Sequence, residues 1–178
     1  MMQHVLTLNA GSSSIKFALF EIGTELGECV RGQVEGLGAT PHLQAMKTGD
    51  SAVDRKLTAA QAHDHASALG VVLEFLEQSF GKIALEAVGH RVVHGGIEFS
   101  EAVVLDEEKI ARLERLNRLA PLHQPYNLSG IRAALRAFPE ALQVACFDTA
   151  FHRSHPWVDA VEKVGLYDSP PVVPIWAE

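Results

Sequence analysis

The chain has 178 residues, 47% hydrophobic and 21% charged, enough for one globular domain with a sizeable core and possibly a small second one. Its formal net charge of −7 argues against a general nucleic-acid surface. No stretch approaches the ~20 apolar residues of a membrane span, and the N-terminus lacks the basic and apolar regions of a signal peptide.

In chain order, three strands are expected first: His4 to Leu8, Ile15 to Ile22 and roughly Cys29 to Glu35. Residues 39–57 are polar and turn-rich and are expected to hold one or two short edge strands. Thr58 followed by Gln61 is a capping-box pattern, and Ala62, Ala66, Leu69, Leu73 and Leu76 then recur at helical spacing up to Gly81. AVGHRVVHGG (Ala87 to Gly96) reads as a strand running into a glycine turn. Asp106 is placed to cap a helix whose first turn carries Glu107 and Glu108, with Ile110, Leu113 and Leu116 on its apolar face. Pro125 sits where the first position of a further helix belongs; Leu128, Ile131, Leu135 and Phe138 line that helix and Pro139 stops it. LQVACFD (Leu142 to Asp148) reads as a buried strand. Cys29 and Cys146 make no disulfide framework and are expected to be reduced and structural, in a cytoplasmic protein.

Four places could carry chemistry. LNAGSSSIKF (Leu8 to Phe17) resembles a phosphate loop, but Ile15 and Phe17 flank Lys16 where a P-loop needs glycine and a hydroxyl residue, and a strand follows instead of a helix. GSSS is therefore expected at the tip of a hairpin, its N–H groups and hydroxyls facing an anion with Lys16 as a point charge. The alternative is an ordinary Gly-Ser turn.

In GHRVVHGG, His90 and His94 stand four apart. On a strand that separation spans about 13 Å, too far for one ion to bridge easily. Alternation would put Arg91 and Val93 on one face, and His90, Val92 and His94 on the other. A guanidinium beside a small apolar side chain suits a short carboxylic acid; a structural ion pair of Arg91 is the other reading. In LAPLHQPYN, Leu122 and His123 precede a helix N-terminus, where anions are favoured; a plain surface histidine is the alternative. In FDTAFH, Asp148 closes a strand at the carboxyl end, where ligands collect in open α/β sheets; a helix cap is the alternative.

The order of strands and helices resembles the ribonuclease-H-like α/β core of actin-like ATPases and sugar kinases, a mixed sheet flanked by helices. The segments LTLNAGSSSIKF, GHRVVHGG with Glu98 and Phe99, LAPLHQPYNLSGI and FDTAFH together resemble the acetate and propionate kinase family, over residues 1–155. The resemblance implies transfer of the γ-phosphoryl group of ATP, with Mg2+, to acetate, giving acetyl phosphate and ADP; propionate or butyrate are alternative acyl substrates. It implies Asn9 near the metal and phosphates, with Ser12 and Lys16 on the same loop. Arg91 would hold the carboxylate or the transferring phosphoryl group, Val93 and Leu122 would line the methyl pocket, and His123 would hydrogen-bond phosphoryl oxygens. Asp148 would be the essential carboxylate near Arg91 and the metal. A carboxylic acid substrate has a pKa near that of Asp, about 3.9, and is already ionised at neutral pH, so Asp148 is expected to orient Arg91 or help hold Mg2+ rather than to take a proton.

Two departures from the family pattern stand out. Gln124 replaces the usual Asn between His123 and Pro125, which predicts a slightly weaker helix cap. Residues 156–178 form a divergent, proline-rich tail where the family continues into a C-terminal domain. The expectation is a half-enzyme with little or no activity alone. The competing reading is a non-catalytic domain that binds an anion or acyl phosphate, self-associates, or pairs with a separate C-terminal half.

Overall fold

The computed structural model describes residues 2–49, 52–118 and 120–149. The FDTAFH residues 150–152 and the tail 156–178 lie outside them. Five antiparallel-paired strands come first: β1 (Gln3–Ala10), β2 (Ser14–Ile22), β3 (Leu26–Glu35), β4 (His42–Lys47) and β5 (Ala52–Lys56). Helix α1 (His65–Phe80), β6 (Ala84–Val92), the two-residue β7 (Val103–Val104), α2 (Glu107–Arg115), α3 (Gln124–Ala137) and β8 (Leu142–Phe147) follow. Among the described residues the strands form one mixed sheet, in the order β5-β4-β3-β2-β1-β6-β8-β7. β1 pairs in parallel with β6, and β6 with β8.

Period-two patterning sets the two faces of the sheet. Leu6, Leu8, Ala10, Ile15, Phe17, Leu19, Val88 and Val92 are buried on one face. α1 covers its β1–β3 side through Ala68, Leu69, Val72, Phe75 and Leu76. Ile110 of α2 and Leu113, with Leu128 and Ile131 of α3, cover its β6–β8 side. Each fully buried aliphatic side chain contributes about 1.5–3 kcal/mol. The alternating positions Thr7, Asn9, Ala18, Gly89 and Arg91 lie on the opposite, partly open face. Close packing of α3 on β1 depends on Gly130, since a Cβ there would stand 2.7 Å from Ala10 Cβ.

Several expectations need correction. Thr58 and Gln61 do interact, with Thr58 N–H donating to Gln61 Oε1 at 2.9 Å, but they close a turn and not a helix. α1 starts at His65, where Asp64 Oδ1 accepts the Ser67 N–H at 2.8 Å and Ser67 Oγ accepts the Asp64 N–H at 3.0 Å. A serine thus takes the place of the usual Glu in a reciprocal capping box. Pro125 is the second residue of α3, not the first. Gln124 is not its cap: it is the first helical residue, fully buried, and its Nε2 donates to the His94 carbonyl at 3.0 Å. β6 stops at Val92 instead of running towards Gly96, because the Val93 N–H is taken by the Asn127 side chain. Alternation therefore does not extend to Val93 and His94.

Cys29 and Cys146 are free thiols. They sit on β3 and β8, four strand spacings or about 19 Å apart across the sheet. Among the described residues no helix is long and apolar enough to cross a membrane.

Candidate active site

The β1–β2 hairpin carries the serine loop at its tip. Asn9 pairs with Lys16 across the antiparallel ladder, and Ala10 with Ile15. The carbonyls of the tip are drawn back into the protein. The Asn127 Nδ2 donates to the Ala10 carbonyl at 2.7 Å, the Leu37 N–H to that of Ser13 at 3.1 Å and the Gly11 N–H to that of Ser14 at 2.9 Å. His65 Nε2 lies 2.7 Å from the Gly11 carbonyl, as a donor. The Ser12 and Ser13 N–H groups donate to no backbone acceptor among the described residues. Backbone N–H groups without a backbone acceptor at such a tip are available to an anion.

Across the sheet, Leu8 pairs with His90, so Asn9 stands level with Arg91 on the neighbouring strand. The period-two patterning puts Lys16, Asn9 and Arg91 on the face opposite the helices. Arg91 pairs with Cys146, and Asp148 follows directly after β8. The Arg91 Nε donates to both Asp148 oxygens at 3.1 Å, and its Nη2 donates to Oδ2 at 2.9 Å. Both side chains are largely shielded, at 30% and 16% exposure. Four polar groups from β2, β1, β6 and the end of β8 thus form one row at the carboxyl end of the parallel strands, the usual ligand edge of an α/β sheet.

Asn127, on the first turns of α3, joins the two parts. Its Oδ1 accepts the Val93 N–H at 3.1 Å while its Nδ2 holds the Ala10 carbonyl. The Thr149 Oγ accepts the Gly95 N–H at 3.1 Å and fixes the glycine turn after β6. Neither residue was singled out by sequence. Asn127 belongs to the LAPLHQPYN segment, but nothing local marks an asparagine that bridges two strands.

His123 is the N-cap of α3 and makes no side-chain capping bond. Leu122 is 74% exposed and Val93 half-buried. Ser12 is exposed at the loop tip. His90 and His94 are separately engaged: His90 Nε2 lies 2.8 Å from Gln143 Oε1, and His94 Nδ1 accepts the Gly96 N–H at 2.8 Å. Burial holds His90 down at about 4, well below the usual imidazole range, and the ring is neutral at physiological pH.

Residues 4–165 match the sequence profile of the Acetokinase family. The chain is 46% identical over 157 residues to acetate kinase from Nitrobacter hamburgensis and 44% identical over 170 residues to acetate kinase from Methylocella silvestris. These alignments take in 86% and 90% of this chain, and 39% and 42% of those proteins. The structure superposes on Porphyromonas gingivalis acetate kinase with a TM-score of 0.77 at 36% identity, covering 95% of this chain and 42% of that one. For a propionate kinase from Francisella tularensis the TM-score is 0.76 at 32% identity, with 95% and 41% covered. The chain spans about two-fifths of the length of these relatives. It belongs to the Acetokinase family.

Proposed function

We propose that this chain supplies the acyl-substrate and phosphate-facing half of an acetate kinase-type site, which transfers a phosphoryl group between ATP and a short carboxylate. The observation that carries this reading is the row Lys16, Asn9, Arg91 and Asp148 on one sheet face, beside a loop tip whose Ser12 and Ser13 N–H groups meet no backbone acceptor among the described residues. Arg91 receives the substrate carboxylate or the phosphoryl group, held in orientation by Asp148. The paired geometry leaves Asp148 the role of positioning a guanidinium, because a carboxylate nucleophile is already ionised and needs no base. Val93 and Leu122 meet the alkyl group. His123, at a helix N-terminus and without a capping bond of its own, faces phosphoryl oxygens. Ser12 and Lys16 contact the nucleotide phosphates.

The donor set fits Mg2+, which takes oxygen ligands and shares them with phosphates. Both Asp148 oxygens already accept from Arg91, so the Asn9 amide oxygen and phosphate oxygens would hold the ion. Bound Mg2+ supplies charge neutralisation at the phosphates. ATP, acetate and acetyl phosphate are thus the expected ligands, with propionate as the close acyl alternative.

The competing reading is binding without turnover, or pairing with a separate domain. One pair of measurements tests both: acyl-phosphate formation from acetate and MgATP, trapped as the hydroxamate, and thermal stabilisation by acetyl phosphate. The expected result is stabilisation that is lost in Arg91→Ala, with little turnover by the chain alone. Turnover that falls at least ~100-fold in Arg91→Ala would make this chain sufficient for catalysis. Absence of both signals in folded protein would remove the proposal.

A further inference from the structure

His4, Glu21 and Cys29 converge at the end of the hairpin remote from the serine loop. His4 faces Glu21 directly across the antiparallel β1–β2 pair. The β2–β3 register then shifts: Val30 opposes Leu19 and Glu28 opposes Phe20, which leaves Cys29 as the extra residue. A bulge of this kind re-aims a side chain. Ligand atoms of all three residues, a ring nitrogen, a carboxylate oxygen and the Cys29 Sγ, lie within 4.8 Å of one another, and all three residues are half-buried.

A second observation marks the place. The His4 Nδ1 is buried and has no hydrogen-bond partner among the described residues. Leaving such a nitrogen unmet costs about 1–3 kcal/mol. Protein interiors rarely tolerate that without a ligand or water to meet it.

We propose that His4, Glu21 and Cys29 form a binding site for a divalent transition metal of the Zn2+ class, with a fourth position open to water. Nitrogen, sulfur and one carboxylate oxygen are the donors that Zn2+ takes in tetrahedral sites, whereas Mg2+ prefers oxygen alone. Zn2+ bonds of about 2.0–2.3 Å place tetrahedral ligands some 3.3–3.8 Å apart. Ligand atoms up to 4.8 Å apart would therefore close by about an ångström on metal binding.

The site is separate from the phosphate-facing row. Four residues of β1 separate His4 from Asn9, five steps or about 17 Å along the strand. A metal here would staple β1, β2 and β3 together at their far end.

The test is titration of the full 178-residue chain with Co2+ under reducing conditions, followed by displacement with Zn2+. One equivalent of Co2+ should give visible bands and a near-ultraviolet thiolate-to-cobalt band. Cys29→Ser should remove the thiolate band, while Cys146→Ser, on the distant strand β8, should keep it. His4→Gln and Glu21→Gln should each weaken binding at least ~10-fold. Absence of the bands overturns the proposal, as does a thiolate band that survives Cys29→Ser or disappears with Cys146→Ser. A measurement on the unaltered chain removes any dependence on how the variants fold: Zn2+ should slow alkylation of Cys29 relative to Cys146. Equal rates with and without Zn2+ would exclude the site.

Discussion

Asp148 holds Arg91 through three donor–acceptor contacts between 2.9 and 3.1 Å, although the backbone partner of Arg91 is Cys146, two residues earlier. The pair therefore depends on the chain turning just after β8. Hydrogen bonds between charged, partly shielded groups are worth about 1.5–3 kcal/mol. A double-mutant cycle with Arg91→Ala and Asp148→Ala, followed by urea unfolding, should give a coupling energy of about 1–3 kcal/mol. Coupling near zero would mean that the two side chains do not act together. Asp148→Asn should in addition weaken the stabilisation by acetyl phosphate, because the amide no longer fixes the guanidinium.

Asn127 satisfies one donor and one acceptor on different strands. Asn127→Ala leaves both the Val93 N–H and the Ala10 carbonyl unmet. At about 1–3 kcal/mol for the buried Ala10 carbonyl and about 1 kcal/mol for the part-buried Val93 N–H, the loss should be about 2–4 kcal/mol in urea unfolding. Asn127→Asp keeps the acceptor for Val93 but sets a carboxylate against a carbonyl, so it should be no milder. Hydrogen exchange should also rise at the Ile15 amide, next to the loop, in either variant. An unchanged exchange rate would show that Asn127 does not anchor the hairpin.

The cap assignments separate two neighbouring signals. Asp64→Ala removes the acceptor for the Ser67 N–H and should cost about 1 kcal/mol. That N–H, with the Ser67 hydroxyl, holds the Asp64 carboxyl below its usual range. Thr58→Ala breaks only a turn contact and should cost less than half as much. Equal losses in thermal or urea unfolding would place the helix start at Thr58 after all.

These comparisons show what sequence pattern conveys here. Alternation along β1 and β2, the Asp106 cap and the position of strand β8 were legible because each signal is local, but β8 is not buried throughout: Leu142 and Cys146 are exposed and Gln143, Ala145 and Phe147 are buried. The start of α1 was not legible, because Thr58–Gln61 and Asp64–Ser67 are both capping pairs six residues apart, and only tertiary burial of Ala68, Leu69 and Val72 decides between them. β7 has two residues, too few for any period. At the site, Arg91 could be set on a strand face by spacing and Lys16 by the serine-loop motif, whereas Asn9 was named through the family resemblance. The roles of Asn127, His65 and Gln124 rest on contacts 30 or more residues away in sequence, which no window of sequence contains.

His90 gives the sharpest dependence on pH. It is buried against Gln143, and burial lowers it to about 4 from an ordinary 6.5. The folded protein therefore binds this proton less readily than the unfolded chain does. The contribution of neutral His90 to stability is fully present above about 6.5, and it is lost as pH falls from 6.5 towards 4. A shift of that size corresponds to about 3 kcal/mol. His90→Gln keeps a donor for Gln143 but removes the titration. Between pH 7 and pH 4.5, the unaltered chain should lose about 2–3 kcal/mol more stability in urea than His90→Gln does. Acidic groups elsewhere titrate in both proteins and cancel in the difference. Parallel pH profiles would mean that His90 is hydrated or already charged in the folded state.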